Sequence, residues 1–408
     1  MNPLQLVYKL LNNRNRLPRF VNRLIDYAMT NTPVVVLRIL SQYRGEKKPQ
    51  LTPPRVPAEV ATRVVIAPVN YAGQGTLWAR ALEEHREDTW AYAYAVEVPG
   101  GFAFPTDTEI PLHVYAGSRS WQDRQLATVS ECSHVLIEAE RQILGRRFKS
   151  LRAEVRELRS RGLNVAFLAH GTDVRVPTIH RRESPWSLFH DPGYYWQGEE
   201  RMARANIAAL KSLGGRVFVS TPDLQLFLPE ARWCPTVIDT AKWFGAKKQH
   251  SGDREKPLVV HVPSKPLIKG TDLIEPALHR LADAGLIEYR RVVGIPSEKM
   301  PELYGEADIV LDQFRLGSYG VTAIEAMAAG CVVLGHITEA TRETVLQESG
   351  LELPIVEATP DTIERVITEL VTDRGRIHKL AAEGKEFVRE VHSGKASARV
   401  LSEGWLDS

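Results

Sequence analysis

The chain has 408 residues, of which 43% are hydrophobic and 25% charged, and its formal net charge is +2. This length exceeds what one hydrophobic core usually organises, so the sequence predicts a globular protein with two domains. The small net charge excludes the global basic field of a dedicated nucleic-acid binder, and we expect no nucleic-acid partner. No apolar run approaches the roughly 20 residues that cross a bilayer, so no transmembrane helix is predicted.

Cysteine usage and the N-terminal pattern indicate the compartment. Cys132, Cys234 and Cys331 stand far apart, with no CxxC pair and no histidine cluster at metal-ligand spacing. This argues against a disulfide framework and a zinc site, and predicts thiols packed as small hydrophobes in a reducing compartment. Arginine and lysine break the N-terminal apolar runs, and no small-residue cleavage site follows, so we expect no signal peptide and a cytoplasmic protein.

Residues 1–55 are predicted to form a basic, amphipathic helical arm. Two sets of apolar residues recur at helical spacing, namely Leu4, Leu6, Val7, Leu10 and Leu11, then Phe20, Val21, Leu24, Ile25 and Met29. Nine cations accompany them within residues 1–50, namely Lys9, Arg14, Arg16, Arg19, Arg23, Arg38, Arg44, Lys47 and Lys48. The only acids are Asp26 and Glu46. Two interpretations remain open: peripheral binding of residues 1–50 to an anionic membrane surface, or packing on the protein's own body with the cations in water.

A proline-rich stretch at 52–57 separates the arm from a repeated strand-then-helix pattern. The predicted strands are Arg63–Pro68, Leu112–Tyr115, Val135–Ile137, Val165–Ala169 and Val217–Ser220. The predicted helices are Thr76–Glu84 and Arg146–Arg161. Strand followed by helix, repeated, predicts a parallel sheet covered on both faces.

The second half of the chain repeats this pattern. The predicted strands are Leu258–Val262, Tyr289–Val293, Ile309–Asp312 and Val332–Gly335. The predicted helices are Thr271–Ala284, Ser297–Tyr304, Val321–Ala329, Ala340–Ser349 and Thr359–Thr372. Polar and basic residues at 239–256 interrupt both patterns and indicate the domain boundary. The predicted fold class is therefore α/β, with Rossmann-like domains at 56–240 and 241–385 facing each other across a cleft, where the strands' carboxyl ends bind ligands.

A lysine–glycine pair, Lys269-Gly270, lies in the loop after the strand Leu258–Val262, with Lys265 upstream of it. A lysine between a strand and a helix can meet a phosphate, and the helix adds backbone N–H donors and the positive end of its dipole. A lysine that is simply solvated remains an alternative for this loop.

A glycine-containing loop connects the strand Ile309–Asp312 to the helix Val321–Ala329. Gly317 and Gly320 lie in this loop and allow a diphosphate to approach the backbone closely. Glu325 lies about one turn into the helix among small apolar residues. Its carboxylate is poorly placed for the phosphates, but it could accept hydrogen bonds from ribose hydroxyls.

Residues 257–335 resemble the donor-binding domain of retaining GT-B glycosyltransferases, the large group 1 family that includes mannosyl- and N-acetylglucosaminyltransferases. That family carries a Lys-Gly loop for the donor diphosphate and a Glu-x7-Glu motif on the helix after a glycine loop. Lys269-Gly270 and the segment from Gly320 to Gly330 match this pattern, whereas Gly317 stands at the position of the first glutamate. The resemblance implies the GT-B fold and a nucleotide diphosphate sugar donor, bound by Lys265, Lys269, Gly317, Ser318, Tyr319, Gly320, Val321 and Glu325.

The resemblance extends more weakly to the first domain. Gly73-Gln74-Gly75 is similar to the glycine loop through which the acceptor domain reaches the donor, so Gly73 and Gly75 join the predicted donor-binding set. His170-Gly171-Thr172-Asp173 is similar to a family loop that points into the cleft. Residues 218–224 and 233–239 resemble the segment that enters the interdomain linker, and 386–408 resemble a closing helix that packs back on the first domain.

The resemblance further implies a hexosyltransferase with no metal and no cofactor. Lys269, Lys265 and backbone N–H groups near Gly320 would stabilise the charge that develops on the leaving diphosphate. No Asp-x-Asp pair occurs in the chain, which supports metal independence. Lys269, Glu325 and His170 form the predicted catalytic set, in which His170 would orient the donor sugar or its leaving oxygen.

On the acceptor side, Asp173 would either contact an acceptor hydroxyl or cap a turn. In a retaining enzyme the departing phosphate can take the acceptor proton, whereas in an inverting enzyme His170 or Asp173 would be the base. The predicted acceptor is a glycan or a lipid-linked molecule, as in the synthesis of cell-envelope polysaccharide.

Other functions remain open. The missing glutamate at Gly317 is compatible with a catalytically weak GT-B subunit that binds nucleotide sugar without transferring it. A GT-B epimerase or phosphorylase is a further alternative, although the second domain shows no arginine cluster for phosphate. A nicotinamide dehydrogenase is disfavoured because no G-x-G-x-x-G follows the first strand.

Overall fold

The computed structural model describes residues 14–43, 51–97, 104–245 and 254–407. The first apolar set of the arm, at residues 4–11, lies outside the described residues. The arm enters as a 3-10 turn at Arg14–Arg16 and continues in helices α1 (Arg19–Thr30) and α2 (Val34–Tyr43). The helix predicted from the second apolar set is therefore confirmed.

The first half of the body is a seven-stranded sheet with helices on both faces. Its strands are β1 (Thr62–Ala67), β2 (Thr89–Val96), β3 (Thr108–Ile110), β4 (His134–Glu138), β5 (Asn164–Ala169), β6 (Val217–Val219) and β7 (Arg232–Trp233). Its helices are α3 (Gln74–His85), α4 (Leu112–Gly117), α5 (Arg119–Ser130), α6 (Leu151–Ser160), α7 (Pro177–Glu183) and α8 (Gln197–Leu213). The central strands read as continuous apolar runs because both of their faces are buried.

The strand order of the first sheet is β3-β2-β1-β4-β5-β6-β7, and all neighbouring strands are parallel. The chain builds outward from β1 in one direction and then returns to add β4 on its other side. This is the Rossmann order, in which ligands bind at the carboxyl ends of the strands where the order reverses. In this sheet that position lies where β1 ends at Ala67 and β4 ends at Glu138.

The second half is a smaller parallel sheet in the order β12-β11-β10-β8-β9. After the linker helix α9 (Thr240–Phe244) its strands are β8 (Leu258–His261), β9 (Glu288–Arg291), β10 (Ile309–Leu311), β11 (Val332–Gly335) and β12 (Val356–Glu357). Its helices are α10 (Pro266–Lys269), α11 (Thr271–Asp283), α12 (Met300–Glu306), α13 (Val321–Ala328), α14 (Glu339–Ser349) and α15 (Ile363–Thr372). This is the other common doubly wound order, and its reversal lies between β8 and β10. The predicted pair of Rossmann-like domains is confirmed.

The chain passes between the halves at two places that lie side by side. The first passage leads into α9, and the second is α16 (Arg374–Val391), which continues into α17 (Lys395–Leu401) and a π turn at Ser402–Leu406. Ile238 donates its N–H to the carbonyl of His392 at 3.1 Å. The indole of Trp405, fully buried against the first sheet, donates to Asn164 Oδ1 at 3.1 Å. The domain boundaries at residues 55, 240 and 385 stay predictions.

Several elements differ from the sequence-based prediction, and two of them are instructive. Leu112–Tyr115 is not a strand but the start of helix α4, which begins directly after Pro111 in extended conformation. A run as short as Leu-His-Val-Tyr fits a strand or a buried helical turn equally well. Strand β2, whose tyrosines and alanines alternate, was not predicted, although alternation of this kind is typical of a strand.

Two predictions from composition can also be compared with the structure. Cys132, Cys234 and Cys331 are buried and form no disulfide bond, so the packing predicted for them is confirmed. Among the described residues, no helix has both the length and the apolar character that a membrane span needs.

Candidate active site in the cleft

The reversal of the second sheet brings together the two loops that the sequence singled out. The Nζ of Lys269, at the end of α10, donates a hydrogen bond to Oδ1 of Asp312, the residue that follows β10. Oδ2 of Asp312 accepts the backbone N–H of Gly320 at 3.0 Å. The carboxylate of Asp312 is almost fully buried, so it fixes both a cation and the amino end of α13 at the carboxyl edge of the sheet.

His261, the last residue of β8, fixes the loop that carries Lys269. The ring of His261 is buried, with Nδ1 3.0 Å from the carbonyl of Leu311 and Nε2 2.8 Å from Thr271 Oγ1. Burial lowers the pKa of His261 to about 4, so the ring is neutral at physiological pH and serves as a connector. Gly270 turns the chain between α10 and α11 with φ of +76°, which favours glycine.

Gly317 occupies the position where the resembling family has its first glutamate, and the backbone there explains the difference. Its φ is +71°, in the left-handed region. A Cβ at this position would lie 2.6 Å from Cγ2 of Thr338, which is too close. The carbonyl of Gly317 also accepts hydrogen bonds from the N–H of Thr338 at 2.9 Å and from Oγ1 of Thr341 at 3.0 Å. The loop is therefore built for glycine and excludes a glutamate without rearrangement.

The next two predicted donor-binding residues turn their side chains away from the cleft. Tyr319 is buried, and its hydroxyl donates to Nε2 of His392 at 3.2 Å. Ser318 is also buried, and its carbonyl accepts from Nε2 of Gln313 at 2.6 Å. Tyr319 thus anchors the loop through its side chain and Ser318 through its backbone carbonyl. Because both side chains are buried, the backbone of this segment is the part that can serve a ligand in the cleft.

Glu325 lies on α13 and is only partly exposed. Burial raises the pKa of Glu325 to about 8, and the positive charges of Lys242 and Lys269 partly offset that rise. The carboxyl group is therefore close enough to Lys269 to feel its charge, as expected for two groups of one binding site.

In the first half, His170 and Glu138 form a pair at the reversal between β1 and β4. Nε2 of His170, directly after β5, lies 2.9 Å from Oε1 of Glu138 at the end of β4. Glu138 is fully buried, which raises the pKa of its carboxyl group, and the hydrogen bond with His170 partly offsets the rise. A Cβ at Gly75 would lie 3.0 Å from Oε2 of Glu138, so the glycine allows α3 to start beside this carboxylate. Tyr71 contacts the ring of His170 edge-on, with centroids 5.1 Å apart.

Asp173 caps the turn that follows β5. One of its carboxylate oxygens accepts the N–H of His170 at 2.8 Å, and the other accepts the N–H of Gly171. Asp173 is 7% exposed, so most of its acceptor capacity serves the backbone. Of the two roles open for Asp173 in the sequence, the geometry favours turn capping.

The loop after β4 has an unusual backbone and presents a cation that the sequence did not indicate. Ala139 and Glu140 both have positive φ, of +52° and +51°, a conformation that non-glycine residues rarely adopt and that is concentrated at functional sites. Glu140 is buried, and burial together with the nearby Asp173 carboxylate raises its pKa well above the usual range. The next residue, Arg141, is exposed and lines the cleft.

A cavity of about 440 Å³ lies between the halves, and five of the twelve predicted site residues line it. Predicted site residues that line it are His170, Asp173, Lys265, Gly320 and Val321. The turn around Gly73 contributes Tyr71, Ala72 and Gln74. Lys269 lies just behind this wall, since its Nζ is 3.9 Å from the position that a Cβ of Gly320 would take.

Sequence reasoning missed Glu138, Asp312, Tyr71 and Arg141 as site residues. Glu138 and Asp312 each stand where a buried parallel strand ends, and that position was the available signal. No pattern in the sequence singles out Tyr71 or Arg141. Among the described residues, no group of three or more His, Cys, Asp or Glu side chains is arranged to hold a metal ion.

Polar contacts also connect the two halves. Nε2 of His180, on α7, donates to the carbonyl of Leu316 at 3.3 Å, while its Nδ1 lies 2.6 Å from Ser187 Oγ. Nε2 of Gln225 donates to Glu348 Oε1 at 2.9 Å. Oγ1 of Thr344 also donates to Gln225 Oε1 at 3.3 Å, and Arg315 pairs with Asp191 at 3.7 Å.

Comparison with known proteins finds similarity at the level of structure. No family model matches the chain, and no curated protein matches its sequence. A sucrose-phosphate synthase from Thermosynechococcus elongatus superposes with a TM-score of 0.54 at 14% identity, covering 84% of this chain and 98% of that protein. An alpha-glucosyltransferase in complex with UDP gives 0.51 at 11% identity, over 84% and 99% of the two chains. Anabaena Alr3699/HepE, in complex with UDP and glucose, gives 0.51 at 11% identity, over 85% and 99%.

These superpositions span both sheets, since they cover more than four fifths of the chain. Two parallel α/β halves with a cleft between their carboxyl edges define the GT-B fold. The predicted fold class is thus confirmed.

Proposed function

We propose that this chain is a glycosyltransferase that moves a hexosyl group from a nucleotide diphosphate sugar to a glycan or lipid-linked acceptor in the cleft. The observation that carries the proposal is the junction of Lys269, Asp312 and Gly320 at the reversal of the second sheet. The UDP complexes among the structural neighbours support a nucleotide diphosphate donor.

The donor diphosphate binds at the amino end of α13. Lys269 supplies a positive charge, and Lys265 lines the cavity as an exposed second cation. The backbone N–H groups at Gly320 and Val321 complete the anion site. A diphosphate that reaches Lys269 competes with the carboxylate of Asp312, so donor binding involves a shift of the Lys269 side chain from one anion to the other.

The nucleoside lies farther along α13. Glu325 accepts hydrogen bonds from the ribose hydroxyls, because its carboxyl group is within electrostatic reach of Lys269 and is the polar group among the buried apolar residues of α13. The sugar then points toward the first half, where Gly73, Gly75 and His170 are.

His170 faces the reacting sugar from the acceptor side. Glu138 orients the ring through Nε2, which leaves Nδ1 for the donor sugar or its leaving oxygen. Tyr71 and Trp78 restrict the ring from two sides, with centroids at 5.1 and 5.7 Å. A ring held in this way stabilises the transition state without having to reorganise.

The transfer proceeds with retention and without a metal ion. The bond between the anomeric carbon and the diphosphate oxygen breaks, and its electron pair remains on the diphosphate. The acceptor oxygen forms the new bond on the same face, and its proton passes to the departing phosphate oxygen. Lys269 and the α13 amides stabilise the negative charge that grows on this oxygen.

A second function is favoured by one observation, the backbone at Gly317, which excludes the glutamate that would touch the transferred sugar. In that case the chain binds nucleotide sugar without transferring it. Slow hydrolysis of the donor without acceptor distinguishes the two functions, because a subunit that only binds leaves the donor intact.

A panel of nucleotide sugars tests the proposal. A ligand that binds only the folded state raises the melting temperature, so one donor class should raise it in the wild type. The double variant Lys269→Ala/Asp312→Asn removes the cation and its partner together and should abolish that rise. If no nucleotide sugar shifts the melting temperature, or if the double variant responds like the wild type, the proposed donor site is wrong.

A further inference from the structure

The two described helices of the arm expose an unusual set of large apolar side chains. Six of the fourteen strongly exposed large apolar residues among the described residues lie within this short segment. They are Phe20 (66% exposed), Leu24 (63%), Tyr27 (69%), Val35 (64%), Val36 (41%) and Ile39 (59%), and they are called here the apolar arm face. Single exposed apolar residues are normal, but a cluster of them marks an interaction surface.

Helix geometry shows that α1 presents one side to solvent. Phe20, Leu24 and Tyr27 are spaced by four and three residues, so they form one stripe along the helix. The opposite side carries Asn22, which is buried and donates to the carbonyl of Arg14 at 2.7 Å. The arm is therefore fixed by one side and exposes the other.

The inner side of α1 is tied to the body by its acid. Asp26 accepts hydrogen bonds from Arg201 on α8 at 2.5 Å and from the hydroxyl of Tyr195 at 3.2 Å, and it also pairs with Arg14. The guanidinium of Arg14 lies over the ring of Tyr195, 4.3 Å from its centroid.

Helix α2 is also in contact with the body on one side only. A Cβ at Gly117, on α4, would lie 2.1 Å from Cγ1 of Val34, so this valine packs directly on the α4 backbone. Val35 and Ile39 remain exposed. Packing of the arm on the body thus explains why the inner sides of α1 and α2 are covered. It leaves the apolar arm face without a partner among the described residues.

The charges beside the apolar arm face are of one sign. Arg16, Arg23 and Arg38 are exposed, and none of them forms an ion pair with a residue in the described part of the chain. Asp26 is the one acidic residue of 14–43, and its carboxylate faces the body of the protein, where it bonds to Arg201. Arg23 lies ~60° around the helix from Phe20, at ~100° per residue, and so borders the stripe.

We propose that the apolar arm face docks on an anionic lipid surface. The exposed apolar side chains enter the region between head groups and acyl chains, and the bordering arginines pair with lipid phosphates. In the described part of the arm, the exposed charges beside the face are arginines and the one acid, Asp26, is bonded to Arg201 of the body. This gives charge complementarity with a negatively charged membrane that a neutral membrane lacks. This inference is independent of the proposed function, since it uses no residue of the cleft.

Flotation of the full-length protein with vesicles tests the docking. Vesicles of phosphatidylglycerol mixed with phosphatidylcholine should carry the protein at low salt, whereas vesicles of phosphatidylcholine alone should carry much less. Binding should fall as salt rises, because the shorter Debye length screens the arginines.

Matched variants locate the contact. Phe20→Ser/Leu24→Ser should lower the partition coefficient about tenfold or more, and Arg23→Glu about fivefold or more. One control is Val293→Ser/Leu346→Ser, which changes two exposed apolar side chains of the second half. The other is Arg376→Glu, which reverses an exposed charge on α16. Both controls should float like the wild type.

Several outcomes would overturn the proposal. One is a wild type that stays unbound on anionic vesicles at low salt, and another is equal flotation of the arm variants and the controls. Dimerisation that depends on Phe20 and Leu24, seen by light scattering without vesicle binding, would assign the face to a second copy of the chain. Since all substituted side chains are exposed, unchanged melting temperatures should show that folding is intact.

Discussion

The Nζ of Lys269 is bonded to the buried carboxylate of Asp312, and the same carboxylate holds the N–H at the start of α13. A protein anion therefore contacts both groups that the proposed diphosphate would use. Because the pair is largely removed from water, deletion of one partner leaves a poorly compensated charge.

This relationship separates two effects of substitution at Lys269. Lys269→Ala should slow transfer, raising the barrier by about 2–4 kcal/mol, because a cation at the leaving group is lost. It should also destabilise the fold by about 3 kcal/mol, because Asp312 stays buried. Steady-state rates and urea unfolding measure the two effects, with Lys211→Ala on α8 as an exposed-lysine control. In Lys269→Ala/Asp312→Asn most of the stability should return while the rate stays low; a recovered rate would show that Lys269 acts only on the fold.

A second prediction concerns Gly317. Gly317→Ala should reduce the free energy of unfolding by about 2–4 kcal/mol, combining a left-handed backbone with a Cβ pressed against Thr338. Gly350→Ala is the matched control, since Gly350 has a similar φ of +75° with no atom near its would-be Cβ, and it should cost only about 1 kcal/mol. If chemical denaturation shows the same loss of unfolding free energy for both variants, the Thr338 side chain moves aside without cost. A larger residue could then fit at position 317.

A third prediction follows from Glu325, whose pKa burial raises to about 8. In the unfolded chain the pKa of a glutamate is about 4.3, so between these values the folded protein holds a proton that the unfolded chain has lost. This contribution to stability is full below about pH 4 and is lost as pH rises through about 8.

Glu325→Gln removes the titration, so the variant should gain stability relative to the wild type as pH rises from 5 to 8. Melting temperatures at several pH values measure the difference, and Glu302→Gln, an exposed glutamate on α12, is the control. A constant difference between the Glu325 variant and the wild type across this range would contradict the raised pKa.

A fourth prediction concerns metal ions. If Lys269 and the α13 amides carry the leaving-group charge, transfer should continue at an unchanged rate in EDTA. The measurement is an initial rate with and without chelator, repeated after addition of magnesium or manganese. Loss of activity in EDTA, with recovery when either metal is added, would show that a metal ion helps to stabilise the leaving-group charge.

Local sequence was enough to predict the elements that position the site. Strands β8 and β10 are short apolar runs between polar loops, and Lys269-Gly270 follows the first of them, so strand, loop and helix could all be read from neighbours in the chain. The helical conformation of Leu112–Gly117 could not be predicted in this way, because a short, mainly apolar run does not distinguish a strand from a helical turn.

Side-chain direction was harder to predict, because it depends on residues far away in the sequence. Tyr319 was predicted to bind the donor with the rest of its loop, yet its hydroxyl bonds to His392, 73 residues farther along. The partner of Lys269 is 43 residues away. Asp173 has acceptors that suit a substrate, but the nearest donors are amides of its own turn.

The two adjacent passages of the chain between the halves are bonded together at His392. His392 donates from Nδ1 to the carbonyl of Thr236 at 2.7 Å in the first passage and accepts from Tyr319 in the donor loop. If the cleft closes on a donor, rotation about the line through these passages would preserve these bonds. Because Tyr319 is attached at that axis, we expect the loop proposed to receive the diphosphate to move least and the acceptor-side residues to move toward it.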